Sequence, residues 1–139
     1  VLFRSHQMDL LMSVDGVGER VALKMIMETD AFTSFTDPRK FCCHAGVVPF
    51  VYVSGSSQRS KNRVSNRADK SIKHLLHMAA LSVSQVKNSP LKKYYDRKVE
   101  EGKNKMSVLN AVRAKLVTIM FAVIRTDAFF SRNYQNSLA

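Results

Sequence analysis

The sequence predicts a mainly α-helical domain: a helical hairpin, then a basic loop, then long amphipathic helices in a bundle. Two long segments, about 69–87 and 105–126, carry apolar residues at the three- and four-residue spacing of a buried helical stripe. Glycine and proline stand at the ends of the other helical segments. The apolar, β-branched stretch Val47–Val53 is short and contains Pro49, which favours an extended segment or an edge strand.

The individual helices follow from their boundary residues. A short helix over about 6–14 is followed by the turn Asp15-Gly16-Val17-Gly18, and Glu19 then complements the dipole at the start of a second helix that reaches about residue 30. A third helix has Asp37 as N-cap, Pro38 at its first position and Gly46 just past its end. The remaining helices are predicted at about 69–87, 90–101 and 105–126.

Length and charge indicate one nucleic-acid-binding domain. The 139 residues suffice for a single core, with residues 1–9 as a leader or fragment edge, 10–127 as the domain and 128–139 as a flexible polar tail. The net charge of +11 favours a nucleic-acid partner, with an anionic membrane surface as the lesser alternative. No apolar run approaches a bilayer-spanning length, and the membrane is not counted among the expected partners. Adjacent cysteines, Cys42 and Cys43, cannot easily staple a fold and indicate a reducing cytosol.

The hairpin at 10–30 is a candidate phosphate site. Its pattern, Leu11-x-x-Val14-x-Gly16-Val17-Gly18-x-x-x-Ala22-x-x-x-Ile26, resembles the helix-hairpin-helix of many DNA-binding proteins. Gly16 and Gly18 make a tight turn, after which the backbone N–H groups that begin the second helix can hold a DNA phosphate without reading sequence. The alternative is an ordinary αα-hairpin whose glycines serve only the turn.

The basic segment Ser54–Lys73 is a second candidate. It opens on a Ser-Gly step and then carries six cations against one acid, Asp69: Arg59, Lys61, Arg63, Arg67, Lys70 and Lys73. Spaced cations on a polar backbone suit a phosphate polymer, and a hydroxyl beside glycine is where a nucleophile can be exposed. Most loop serines, however, only form turns.

This segment and the residues on both sides of it resemble the C-terminal domain of IS110/IS116/IS902-family transposases. The resemblance is carried by Gly46-Val47-Val48-Pro49, Ser54-Gly55, Arg63-Val64-Ser65-Asn66-Arg67, Ile72-Lys73-x-Leu75-Leu76 and Ala79-Ala80, and further along by Pro90-Leu91-x-x-Tyr94-Tyr95, Gly102-Lys103 and Ala111-Val112-x-x-Lys115-Leu116. With the hairpin, it covers roughly Leu10 to Arg125. The family usually has Gly-Asn where this chain has Ala68-Asp69, a departure that is expected to affect activity more than the fold.

The resemblance implies that Ser54 is a nucleophile in DNA strand exchange. The serine of the family's Ser-Gly step attacks a DNA phosphodiester and forms a covalent link that later rejoins another strand; Ser56 and Ser57 are the alternatives if the register slips. The cations Arg59, Lys61, Arg63 and Arg67 would neutralise the developing phosphate charge, and Lys70, Lys73 and Lys115 would bind DNA. The rival function is a non-enzymatic helix-hairpin-helix module that binds DNA or RNA nonspecifically.

Cofactors and partners also follow from the resemblance. Members of this family have an N-terminal RuvC-like domain that binds divalent metal. The 11 acids of this chain are scattered, so the resemblance implies that magnesium belongs to a missing N-terminal domain and that this chain has no metal site. The expected partners are the element's DNA ends, target DNA, a guide RNA in some family members and further copies of the protein in the cytosol. A zinc site at Cys42-Cys43-His44 with His74 or His77 is disfavoured, since adjacent cysteines are poor zinc spacing and one of them is expected in the core.

Overall fold

In the computed structural model, residues 5–47, 53–54, 58–59 and 70–132 are described. This part of the chain contains six helices: α1 (His6–Met12), α2 (Glu19–Glu28), α3 (Pro38–His44), α4 (Lys70–Val83), α5 (Pro90–Glu100) and α6 (Lys105–Thr126). Two strands of two residues each, β1 (Val53–Ser54) and β2 (Gln58–Arg59), pair antiparallel. The mainly α prediction is therefore confirmed.

Side-chain caps fix the starts of three helices. The Ser5 hydroxyl accepts a hydrogen bond from the Met8 amide, and the Asp37 carboxylate accepts one from the Arg39 amide. The Asn104 side chain accepts from two amides in the first turn of α6. Since each cap satisfies amides that have no partner within the helix, these residues set where the helices begin.

The core forms around α6, which contacts α1, α3, α4 and α5, while α2 packs on α1 and α4. Fully buried side chains from these helices meet there, among them Leu10, Leu11, Met25, Phe41, Ile72, Leu76, Val112, Leu116 and Met120. Aromatic rings fill the α3 end of the bundle, where Phe121 makes ring contacts with Phe32 and Phe41. The amphipathic stripes predicted for 69–87 and 105–126 are the surfaces that meet here.

The expectation that no segment is long and apolar enough to cross a bilayer is wrong for α6. By length and composition this helix passes that test, with a mean hydropathy of 1.7 over its best 18-residue window. The window qualifies because the apolar residues outnumber the two cations within it, Arg113 and Lys115. Half of it is buried inside the bundle, as in the core helix of a helical domain.

α4 ends earlier than predicted, at Val83 rather than near Lys87. The next amides bond three residues back, Gln85 to Ser82 and Val86 to Val83, which tightens the chain into turns. Asn88 then takes a positive φ of 63°, and Ser89 is extended before Pro90. Because a proline disfavours helical backbone at the residue before it, α4 has to end before the next helix can begin at Pro90.

The two ends of the described chain are tied together beside the α1–α2 turn. The Arg132 guanidinium donates two hydrogen bonds of 3.0 Å to the Asp15 carboxylate. The Phe130 amide donates to the Ser13 hydroxyl at 2.9 Å, and the His6 ring lies 2.6 Å from the Asp127 carboxylate. The first residues of the segment 128–139 therefore pack against the hairpin.

Candidate nucleic-acid interface

The turn of the α1–α2 hairpin packs directly on α4 through Gly16. This residue has a φ of +83°, and a Cβ built on it would lie 2.7 Å from the Cβ of Val83 and 3.0 Å from the carbonyl oxygen of Ala79. A side chain there would be strained by its backbone and would clash with the helix. Gly16 therefore positions the turn by packing against α4.

Gly18 stands in a different environment, at the N-cap of α2. Its backbone is extended, with φ −94° and ψ −177°, and a Cβ placed on it would meet nothing within 4 Å. No side chain caps α2 from this position, so the start of the helix faces open space. Positive charge of the helix dipole gathers at such an end, with Glu19 as the acidic residue in the first turn.

An open groove runs between α2 and α4. It is lined by Arg20, Leu23, Lys24 and Met27 on one side and by Ser71, His74 and Leu75 on the other. This groove therefore lies at the start of α4, whereas the turn before α2 contacts the end of α4. The hairpin turn and the start of α4 are then separated by the length of α4, about 20 Å.

The predicted catalytic segment is described only in part. Ser54 pairs with Gln58 across β1 and β2, and Arg59 pairs with Val53, so the backbones of Ser54 and Arg59 are diagonal neighbours. The predicted cations Lys61, Arg63 and Arg67 lie outside the described residues, as do Ser56, Ser57 and Asp69. Lys70 is exposed in the first turn of α4, and Lys73 is half-buried one turn later.

Lys115 belongs to a cluster of cations around Tyr94, which we call the Tyr94 cluster. Its ammonium group lies 4.7 Å from the centre of the Tyr94 ring, with the Arg97 guanidinium at 5.6 Å and the Lys98 ammonium at 5.9 Å. Cation–π attraction holds charges of this kind near the negative face of the ring. The structure therefore places Lys115 with α5, on a side of α6 distinct from its contact with α4.

A further basic group, absent from the predicted site residues, lies between α4 and α6. Arg113 is only 6% exposed, and its Nε atom is buried without a hydrogen-bond partner. Burial lowers the pKa of the nearby His77, and the charges of Arg113 and His74 lower it further. The sequence did carry a signal: Arg113 lies four residues after Leu109 and three before Leu116, on the buried stripe itself.

The cysteines are packing residues of α3. Cys42 is buried, which confirms the prediction that one of the pair belongs to the core, and Cys43 is half-buried. Burial raises the pKa of the Cys42 thiol to about 12, with the nearby Cys43 and Asp37 adding to the rise. A thiol in this state stays protonated near neutral pH and is a poor nucleophile. In the described ranges, no three His, Cys, Asp or Glu side chains come together as a metal site would require.

Comparison with known proteins gives one family and several relatives. The family model described as "Transposase IS116/IS110/IS902 family" matches residues 8–96, which include the hairpin, Ser54 and α4. A pilin gene-inverting protein of Moraxella bovis is 27% identical over 128 residues, covering 92% of this chain and 40% of the relative. Its counterpart in Moraxella lacunata is 26% identical with the same coverage.

An insertion element IS110 protein of Streptomyces coelicolor is 26% identical over 132 residues, covering 93% of this chain and 32% of that protein. The chain therefore spans well under half the length of these three relatives.

Proposed function

The chain belongs to the transposase IS116/IS110/IS902 family, and from that membership we propose that it is the DNA-binding and strand-transfer domain of an insertion-sequence transposase. The observation that carries the proposal is the family match over residues 8–96, which takes in the hairpin, the Ser-Gly step and α4 as one unit. Two Moraxella relatives that cover 92% of this chain are named for gene inversion, a DNA rearrangement.

Ser54 is the proposed nucleophile. Its Oγ would attack the phosphorus of a DNA phosphodiester, a P–O bond to the leaving deoxyribose oxygen would break, and that oxygen would take up a proton as the serine loses one. A hydroxyl of another strand would then attack the serine–DNA phosphodiester and release the serine. Ser54 ends β1 with its backbone paired to that of Gln58, and the cations that follow it in the sequence would neutralise the charge on the reacting phosphate.

The DNA would be bound by surfaces on several helices. In this proposal the start of α2 at Gly18, with Gly16 setting the turn, and the exposed Lys70 of α4 hold phosphates, while Lys115 contributes through the Tyr94 cluster. The high positive charge supports binding to a polyanion, with the element's ends and target DNA as the principal substrates and a guide RNA as a second. Joining several strands requires further copies of the protein, so a homo-oligomer in the cytosol is part of the proposal.

Divalent metal chemistry is assigned to the parent protein outside this chain. The described residues bring together no carboxylate cluster that fits magnesium. The roles proposed for this chain are therefore those of its own side chains: Ser54 forms the covalent bond, and the cations bind and neutralise phosphate.

A non-enzymatic nucleic-acid-binding module is the second candidate. The feature that favours it is the start of α2, where Gly18 leaves the helix end open as a nonspecific phosphate site. Both functions predict salt-dependent binding, so affinity does not separate them. They differ in whether a covalent protein–DNA bond forms.

A serine exchange in the longer parent protein tests the proposal. Ser54→Ala should abolish the covalent protein–DNA adduct, detected by denaturing electrophoresis with a labelled DNA end, while leaving binding of the same DNA within about twofold, because one neutral hydroxyl adds little to phosphate affinity. Ser57→Ala is the matched control and should retain the adduct. An adduct that persists at full yield in Ser54→Ala, or that disappears in Ser57→Ala alone, would assign the nucleophile elsewhere.

A further inference from the structure

Arg113 is a buried cation without a counter-charge in the described structure. Its side chain is 6% exposed and its Nε hydrogen points at no acceptor. Among the residues that the structure describes, no carboxylate forms an ion pair with it and no aromatic ring accepts a cation–π contact from it. Removing a guanidinium from water without such a partner is costly, so this position calls for a specific explanation.

Packing of the arginine stem does not supply that explanation. Arg113 occupies the stripe between Leu109 and Leu116, which are themselves buried, so the helix register directs its side chain inward. A methionine or leucine would fill the same space without desolvating a charge. Only the Nε atom is both buried and unpartnered, so the terminal nitrogens of the guanidinium keep some contact with the surface, where an anion can reach them.

The neighbouring groups on α4 are cationic or basic. His77 is close enough for Arg113 to lower its pKa, and His74 acts on His77 in the same direction, while burial is the largest cause. Lys73 lies one turn before His77 on the same face of α4 and makes no ion pair within the described ranges. Arg113 of α6 and His77 of α4 are therefore neighbours, Lys73 lies one helical turn from His77, and no ion pair within the described ranges joins any of the three to an acid.

We infer that Arg113 and His77 form an anion site between α4 and α6 that takes a phosphate group, with Lys73 at its rim. A phosphate has oxygens to accept from the Arg113 fork and from the imidazole, and its charge offsets the desolvated guanidinium. The anion is either free phosphate or a phosphate of a nucleic-acid backbone. The site uses neither Ser54 nor the α1–α2 turn, so it stands apart from the proposed strand-transfer chemistry.

Thermal unfolding of the 139-residue chain with inorganic phosphate tests the site at constant ionic strength, with chloride as the reference salt. For the unaltered chain we expect the unfolding midpoint to rise with the logarithm of phosphate concentration above the Kd, by about 5 °C when phosphate exceeds its Kd tenfold. Arg113→Met should remove this rise and should not lower the midpoint in chloride, since it removes an unpaired buried charge. Arg39→Met loses an equally charged but exposed residue and should respond to phosphate as the unaltered chain does.

A second experiment, with a DNA duplex of about 20 base pairs or about two helical turns, distinguishes free phosphate from a phosphate of nucleic acid as the ligand. If the site serves nucleic acid, Arg113→Met should weaken duplex binding about tenfold and reduce the slope of log K against log salt by about one, whereas Arg39→Met should not. If phosphate stabilises the chain but Arg113→Met binds duplex normally, free phosphate is the ligand. An undiminished phosphate response in Arg113→Met overturns the site under either source.

A measurement on the unaltered chain covers the case in which Arg113→Met does not fold. The buried Arg113 Nε–H should give a resonance protected from exchange with solvent, which nitrogen-15 NMR can follow. Added phosphate should shift this resonance and the His77 ring resonances together, with matched chloride as the control. Resonances that stay unmoved in saturating phosphate would refute the inference, whatever the outcome for Ser54.

Discussion

The two sides of α6 treat positive charge differently. On the α5 side, Lys115 stands over Tyr94, and two lysines of α5 bond carboxylates close by: Lys92 lies 2.7 Å from Asp96, and Lys98 lies 3.2 Å from Glu101. On the α4 side, the described structure gives Arg113 and Lys73 no acidic partner. We call these the paired side and the unpaired side.

The difference shows that net charge alone does not locate a binding surface. Cations that already face a ring or a carboxylate gain less from a phosphate, because an incoming anion must compete with the existing partner. Cations without a partner gain the full interaction and lose little. The unpaired side is therefore where an added anion should change both stability and affinity most.

The largest expected effect comes from separating the hairpin from α4 on the unpaired side. Gly16→Ala places a methyl group 2.7 Å from the Val83 Cβ at a φ of +83°. Overpacking and the left-handed backbone together should cost about 2–4 kcal/mol of unfolding free energy, measurable by urea denaturation.

Gly18→Ala is the matched control for that exchange. Its backbone is extended and the space around it is open, so its loss of stability should stay below about 1 kcal/mol. Equal losses for the two variants would mean that Gly16 does not lock the hairpin to α4.

An intermediate effect is expected from neutralising one lysine on each side. Lys73→Gln should weaken duplex binding about three- to tenfold at low salt, because no carboxylate among the described residues has to be released when this lysine meets phosphate. Lys92→Gln makes the same change in net charge and should alter the Kd less than about twofold, because Asp96 already offsets that lysine. Fluorescence anisotropy over a salt series measures both. A reversed order would remove the distinction between the two sides.

The smallest expected effect is on the paired side, at Tyr94. Tyr94→Leu keeps apolar volume but removes the ring that three cations share, and should lower the unfolding free energy by about 1 kcal/mol. Tyr94→Phe retains the ring face, on which the cation–π attraction depends, so its unfolding free energy should stay within about 0.5 kcal/mol of that of the unaltered chain. A Phe variant as destabilised as the Leu variant would assign the loss to the hydroxyl and not to the cations.

Most helices could be predicted because their ends are set by local chemistry. Asp37, Pro38 and Gly46 define α3 in the sequence, and α6 spans the predicted 105–126. The end of α4 was predicted four residues too late, because the apolar period continues through Val86 while the chain has to turn before Pro90. The apolar periodicity indicates which face of a helix is buried, whereas the residue at which the helix ends also depends on the segment that follows it.

The candidate site was less predictable, for a physical reason. The basic segment and the glycines stand out by composition and spacing, yet Ser54 as nucleophile rests on the family resemblance, and sequence spacing could not separate the packing role of Gly16 from the open position of Gly18. Arg113 was overlooked because a charge is normally expected at the surface. Only its place on the stripe between Leu109 and Leu116 indicated otherwise.

The contacts of Arg132 with Asp15 and of Phe130 with Ser13 also bear on how the chain folds. Each joins residues 117 positions apart, so forming them closes a loop of almost the whole chain. Closure over such a distance is entropically demanding, and local helices form far faster. We therefore expect these contacts to form in the last stage of folding, with low φ-values, and their removal to accelerate unfolding far more than it slows refolding.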